Sequence, residues 1–117
     1  MLKNTSHRFG ELIEQQACFF LQELGFEILT RRYRIRGGEI DIVAKSGDVL
    51  VFCEVKARKK VFDYDAVFSQ KQLSRILITA ERYVNDNPSF SSCNIRFDLF
   101  IFENCTKRLL HFENITM

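Results

Sequence analysis

Apolar residues recur at spacings of three and four from Phe9 to Leu24 (Phe9, Leu12, Ile13, Ala17, Phe20, Leu21, Leu24), which predicts a helix from about Ser6 to Leu24 with one apolar stripe. Thr5 or Ser6 can cap its start and Gly25 can end it. Three extended runs follow, Phe26 to Ile35, Glu39 to Lys45 and Val49 to Lys56. Gly37 with Gly38 and Ser46 with Gly47 separate them, so they read as a meander of two hairpins. A second helix fits Ser69 to Asn85, with Leu73, Ile76, Leu77, Ala80, Tyr83 and Val84 on one side and Pro88 closing it. Ile95 to Phe102 and Leu109 to Phe112 read as two more strands. The order αβββαββ predicts an α/β fold, a central mixed β-sheet flanked by α-helices. No repeat or low-complexity segment interrupts it.

At 117 residues the chain is long enough for one core and too short for two, so a single domain spanning residues 1–117 must carry the function. With 46% hydrophobic and 27% charged residues, the composition excludes a disordered or fibrous chain, and twelve Phe supply a core without Trp. No apolar stretch reaches the length of a membrane span, and MLKNTSHRFGE has no apolar signal core, so a cytoplasmic protein without a membrane partner is expected. Cys18, Cys53, Cys93 and Cys105 form no CxxC pair and are expected as small buried hydrophobes.

The net charge of +2 conceals an asymmetry. Residues 31 to 60 hold nine cations against four acids, a balance of +5, while the remainder stands at −3. Concentrated positive charge suits a polyanion, because each phosphate neutralised releases condensed counterions; taken by itself, it reads first as a solvated face.

The candidate chemistry lies in GEIDIVA (38 to 44) and VFCEVKARKK (51 to 60). Side chains alternate along a strand, so Glu39, Asp41 and Val43 share one face, as do Phe52, Glu54 and Lys56. A tight turn at Ser46 and Gly47 pairs Lys45 with Asp48 and sets Asp41 opposite Phe52, with Asp41 and Glu54 diagonal neighbours about 7 Å apart. A register slip of two would bring Asp41 directly opposite Glu54. Carboxylates crowded into apolar strands repel one another and lose hydration, and a divalent cation offsets both effects. Oxygen ligands with no nearby His or Cys favour Mg²⁺ or Mn²⁺. Asp41, Glu54 and the Val55 carbonyl are the expected ligands. Lys56 would orient or deprotonate the attacking water, or stabilise charge on a phosphate.

An acid on one strand followed by ExK on the next resembles the PD-(D/E)XK, restriction-endonuclease-like superfamily. FGE at 9 to 11, GGEIDIVA at 37 to 44, LVFCEVKAR at 50 to 58, KQLSRI at 71 to 76 and RFDLF at 96 to 100 more closely resemble the YraN family of bacterial endonuclease-like proteins. That family is similar in turn to archaeal Holliday-junction resolvases. The resemblance implies a restriction-endonuclease-like nuclease domain acting on DNA, including branched DNA, with a homodimer natural for paired cuts. It implies a second-metal or supporting role for Glu11 and a phosphate or water contact for Gln72. The superfamily also contains binding modules without activity, so a nucleic-acid-binding adaptor is the alternative.

Other residues carry two readings. Glu11 near a helix start would be favourable without any catalytic role. Glu39 can ligate metal, hold Lys56 or pair with Arg36, with support of the ligands preferred. Arg32, Arg34 and Arg36 should project one way from their strand, and Arg31, Tyr33 and Ile35 the other; that row suits a phosphate backbone or guards an edge strand. Arg58, Lys59 and Lys60, in a loop beyond Lys56, and Lys71 and Arg75 on the second helix complete the expected DNA contacts. His7 and His111 are expected bystanders. Asp98 should be a hydrogen-bonded structural residue.

Overall fold

The computed structural model describes residues 5–61 and 69–115. Helix α1 (Thr5–Glu23) leads into β1 (Glu27–Ile35), β2 (Gly38–Ser46) and β3 (Val49–Arg58). Helix α2 (Gln70–Asp86) then crosses to β4 (Asn94–Glu103), and β5 (Arg108–Phe112) ends the sheet. The strand order is β1-β2-β3-β4-β5, antiparallel throughout except for the β3–β4 pair. The expected αβββαββ order is therefore the observed one, and a short 3₁₀ turn at Pro88–Phe90 joins α2 to β4. No helix of the described residues is long and apolar enough to cross a membrane.

The two helices cover opposite faces. Ala17, Cys18 and Leu21 of α1 pack on Ile42, Ala44, Val51, Cys53 and Phe100. Ile76, Ala80 and Tyr83 of α2 pack on Ile40, Val43, Leu50, Phe52 and Phe97. β3 and β4 are thus buried on both sides, which is why VLVFC and FDLFIF read as nearly unbroken apolar runs.

Gly25 ends α1 at φ +93°, and the N–H groups of Gly25 and Phe26 return to the carbonyls of Gln22 and Leu21. Ser69 caps α2 through a reciprocal pair: its hydroxyl accepts the Gln72 N–H, and the Gln72 side chain accepts the Ser69 N–H. The side chains of Thr5 and Ser6, expected to cap α1, lie outside the described residues.

Three expectations need correction. The β2–β3 loop is Gly47–Asp48, with Ser46 opposite Val49, a shift of two from a Ser46–Gly47 turn; Gly47 takes φ +58°, which suits the first position of an equally short loop one residue further on. The buried side of α1 is Ile13, Glu14, Ala17, Cys18 and Leu21, while Leu12 and Leu24 face solvent. An acid occupies that inward position because it has partners there. Of the cysteines only Cys18 and Cys53 are buried; Cys93 is half-buried, and Cys105 is exposed because it lies in the turn between β4 and β5, outside the sheet.

Candidate active site at the parting of β2 and β3

The β2–β3 ladder stops at Ile42 and Cys53, so the next residues outward are Asp41 and Glu54. There the alternation of β2 breaks: Ile40 packs against α2, whereas Ile42, two residues on, packs against α1. β1 breaks in the same place. Arg31 and Arg32 both reach Glu14 on α1, Tyr33 packs on Tyr83 of α2, and Arg32 sits at φ +56°. A left-handed residue rotates the strand, so two consecutive side chains leave on one side. The expected opposition of Arg31 and Arg32 is therefore not formed, while Arg32 and Arg34 still line one cavity.

In the opened ladder, Asp41 Oδ2 accepts the Val55 N–H at 2.8 Å. Burial lifts the Asp41 carboxyl to about 6, with the charges of Glu14 and Glu39 adding and the Val55 N–H and Lys56 opposing. Burial also lifts Glu54, to about 8, reinforced by the charge on Asp41 and opposed by Lys56 and the Asp41 backbone N–H. Glu54 Oε1 is buried and, among the described residues, is the only such side-chain oxygen or nitrogen without a hydrogen-bond partner. Two neighbouring carboxyls that both resist ionisation, one with an unused oxygen, are a costly electrostatic arrangement that a bound cation would relieve.

Two cavities flank this point. One of about 360 Å³ on the α2 side is lined by Arg34, Ile35, Gly37, Gly38, Glu39, Glu54, Lys56, Gln72, Arg75 and Ile76. The other, about 310 Å³ on the α1 side, is lined by His7, Gly10, Glu11, Glu14, Arg32, Arg34, Glu39, Asp41 and Val55. Arg34 and Glu39 border both and form an ion pair at 2.9 Å, so Glu39 pairs with Arg34 rather than Arg36. Asp41 thus opens toward α1, and Glu54 with Lys56 toward α2, instead of all three sharing one flat face.

The remaining expected residues divide between these walls and the surface. Glu11 lines the α1-side cavity and pairs with His7 at 2.8 Å. Gln72 and Arg75 line the α2-side cavity, although the Gln72 side-chain oxygen is engaged in the helix cap. Arg36, Arg58, Lys59, Lys60 and Lys71 are exposed. Arg58 belongs to β3, and the chain beyond it is paired: the Lys59 carbonyl accepts the Cys105 N–H at 2.9 Å.

Glu14 is the residue that the sequence pattern missed. Its Oε1 accepts Arg31 Nη2 at 2.8 Å, Arg31 Nε at 3.1 Å and Arg32 Nε at 3.3 Å, with its side chain only 8% exposed. The available signal was its spacing, three and seven residues before Ala17 and Leu21 on the buried stripe. Asp98 is structural, as expected: it accepts Arg96 through both oxygens, His111 Nε2 at 2.8 Å and the Asn114 N–H at 3.0 Å.

A model of UPF0102, an uncharacterised protein family, matches residues 13–102. The chain belongs to this family. It is 46% identical over 99 residues to a UPF0102 protein of Parafrankia sp., covering 81% of each chain. It is 40% identical over 99 residues to one from Magnetococcus marinus, covering 80% of this chain and 77% of the relative. Against one from Azorhizobium caulinodans the figures are 36% identity over 99 residues, 85% and 76%. The segment matched by the UPF0102 model includes Glu14, Asp41, Glu54 and Lys56.

Proposed function

We propose that this UPF0102 protein is a Mg²⁺- or Mn²⁺-dependent endodeoxyribonuclease of the PD-(D/E)XK type, related to YraN and to junction resolvases, acting in the cytoplasm on DNA that includes branched forms. The observation that carries this reading is Glu54 Oε1, buried, without a hydrogen-bond partner, beside a second carboxyl that burial has also made reluctant to ionise.

The donor set fits a hard cation. Among the described residues no group of three or more His, Cys, Asp or Glu is gathered for a metal, and Mg²⁺ commonly takes only one or two carboxylates and completes its shell with water and phosphate oxygens. Asp41, Glu54 and the Val55 carbonyl would hold it. A bound cation would supply charge stabilisation and acidify water for attack on phosphorus. Lys56, on the α2-side wall with Glu54, orients that water or steadies the phosphate oxygens. Arg75 and the carboxamide of Gln72 face the same cavity and suit the adjoining phosphates. Glu39, paired with Arg34 between the cavities, holds the rim in position.

The test is incubation of the purified protein with linear, flap and four-way DNA, with and without Mn²⁺, beside Asp41→Ala, Glu54→Ala and Lys56→Ala. Metal-dependent cleavage lost in all three supports the reading. DNA binding without cleavage, unchanged by the three substitutions, replaces it with an adaptor of the same fold; cleavage that survives them places the activity elsewhere.

A further inference from the structure

We infer that the turn between β4 and β5 belongs to the nucleic-acid surface: Lys107 and Arg108 extend the cations of Arg36 and Arg58–Lys60 into one row that holds duplex DNA across the end of the sheet. The inference rests on the nuclease reading and deepens it, since it makes the substrate a duplex that continues past the cleft.

Topology places these residues together. β1, β3 and β4 run in one direction and β2 and β5 in the other, so the ends of β1, β3 and β4 and the starts of β2 and β5 share one end of the sheet. This is the end at which Asp41 and Glu54 leave the ladder. Arg58 lies opposite Glu103, and Glu103 opposite Arg108. From Arg58 on β3 to Arg108 on β5 is two strand spacings, or about 10 Å at ~4.8 Å each, and Arg36 lies beyond the parted β2–β3 pair. Those two spacings match about three nucleotides of one strand of a duplex. Arg36, Arg58, Lys59, Lys60, Lys107 and Arg108 are all exposed.

The row is also held in place. The Asn104 N–H meets the Arg58 carbonyl at 2.8 Å, and the Cys105 N–H meets the Lys59 carbonyl at 2.9 Å. The acid in the row, Glu103, braces the turn, since one of its oxygens accepts the Val61 N–H and the other the Thr106 hydroxyl, each at 2.7 Å. Lys107 occupies φ +59°, where Gly or Asn would be less strained. Backbone positions fixed at strand spacing carry these cations, so little loop freedom is lost when a polyanion docks and the cost is confined to ordering the exposed side chains.

Fluorescence anisotropy of a labelled mixed-sequence duplex in EDTA, over a series of salt concentrations, tests this with Lys107→Gln/Arg108→Gln. Loss of both contacts should weaken binding by more than about tenfold at moderate salt and lower the log–log salt slope by about two. The charge-reversed Lys107→Glu/Arg108→Glu should weaken it further, with thermal unfolding unchanged in whichever variant is scored. In a Mn²⁺ cleavage assay KM should rise while kcat stays. Unchanged affinity and slope would overturn the inference, as would tighter binding of polyglutamate than of duplex. Loss of slope in a protein that never cleaves would support it while removing the nuclease reading.

Discussion

Asp41 Oδ2 takes the Val55 N–H at 2.8 Å, so a side chain stands where the β2 backbone would otherwise have continued the ladder. The bond fixes the Asp41 carboxylate in the gap between the strands, adjacent to Glu54. Asp41→Asn and Glu54→Gln, close in size to the originals, should therefore keep the fold yet abolish Mn²⁺-dependent cleavage. Lys56→Ala should lower kcat by about a hundredfold or more. Single-turnover cleavage assays check both.

Stability should depend on pH in a direction set by the same pair. Both carboxyls have native pKa values raised above their unfolded ones, to about 6 and about 8, so between pH ~4 and ~8 the native state binds more protons than the unfolded state. Without metal, stability contributed by these groups is present at the acidic end and declines as pH rises through the window. Mn²⁺ should restore it most at the alkaline end, and Glu54→Gln should flatten the profile. Thermal melts across this range, with and without Mn²⁺, give the answer; a profile identical in the Gln variant would refute the assignment.

Gly38 lies against α2 so closely that a Cβ there would overlap Thr79 Oγ1, crowd Thr79 Cβ and touch the Arg75 carbonyl. Thr79 is buried and its hydroxyl donates to that carbonyl at 2.7 Å, so it cannot turn aside without losing a bond. Gly38→Ala should cost about 1–3 kcal/mol and displace the helix that carries Gln72 and Arg75. Adding Thr79→Ala should recover part of the loss, a coupling that denaturant titration of the four proteins would measure.

Asp98 is fully buried with four hydrogen bonds, and Asp98→Ala should cost about 3–5 kcal/mol because Arg96 and His111 lose their partner. Desolvation raises its pKa, but the bonds from His111, Asn114 and Arg96 outweigh this and hold it below the ordinary Asp range. Its contribution is therefore complete above the unfolded pKa and lost only as pH falls through the lower native value. The stability gap between wild type and variant should narrow in that acidic window, as acid unfolding would show.

Much of this was legible in the chain. Periodicity marked both helices, and apolar runs punctuated by turn residues marked all five strands, because helix and strand impose different spacings on residues that must reach a core. The adjacency of Asp41 and Glu54 followed from two strands joined by a short turn, although the single face they were expected to share with Lys56 did not. The expected structural role of Asp98 followed from a charge set in an apolar run.

Other features depended on tertiary contacts that no local pattern encodes. The register moved by two because Gly47, not Ser46, begins the loop. Glu14 turned inward because two arginines from another element meet it, so its charge is matched where hydropathy assigned it to solvent. Arg32 and Asp41 broke the alternation of their strands, which divided the site between the two faces of the sheet instead of leaving it on one. A sequence specifies which side chains must be buried; only the packed molecule determines which of them find partners and which, like Glu54 Oε1, are left without one.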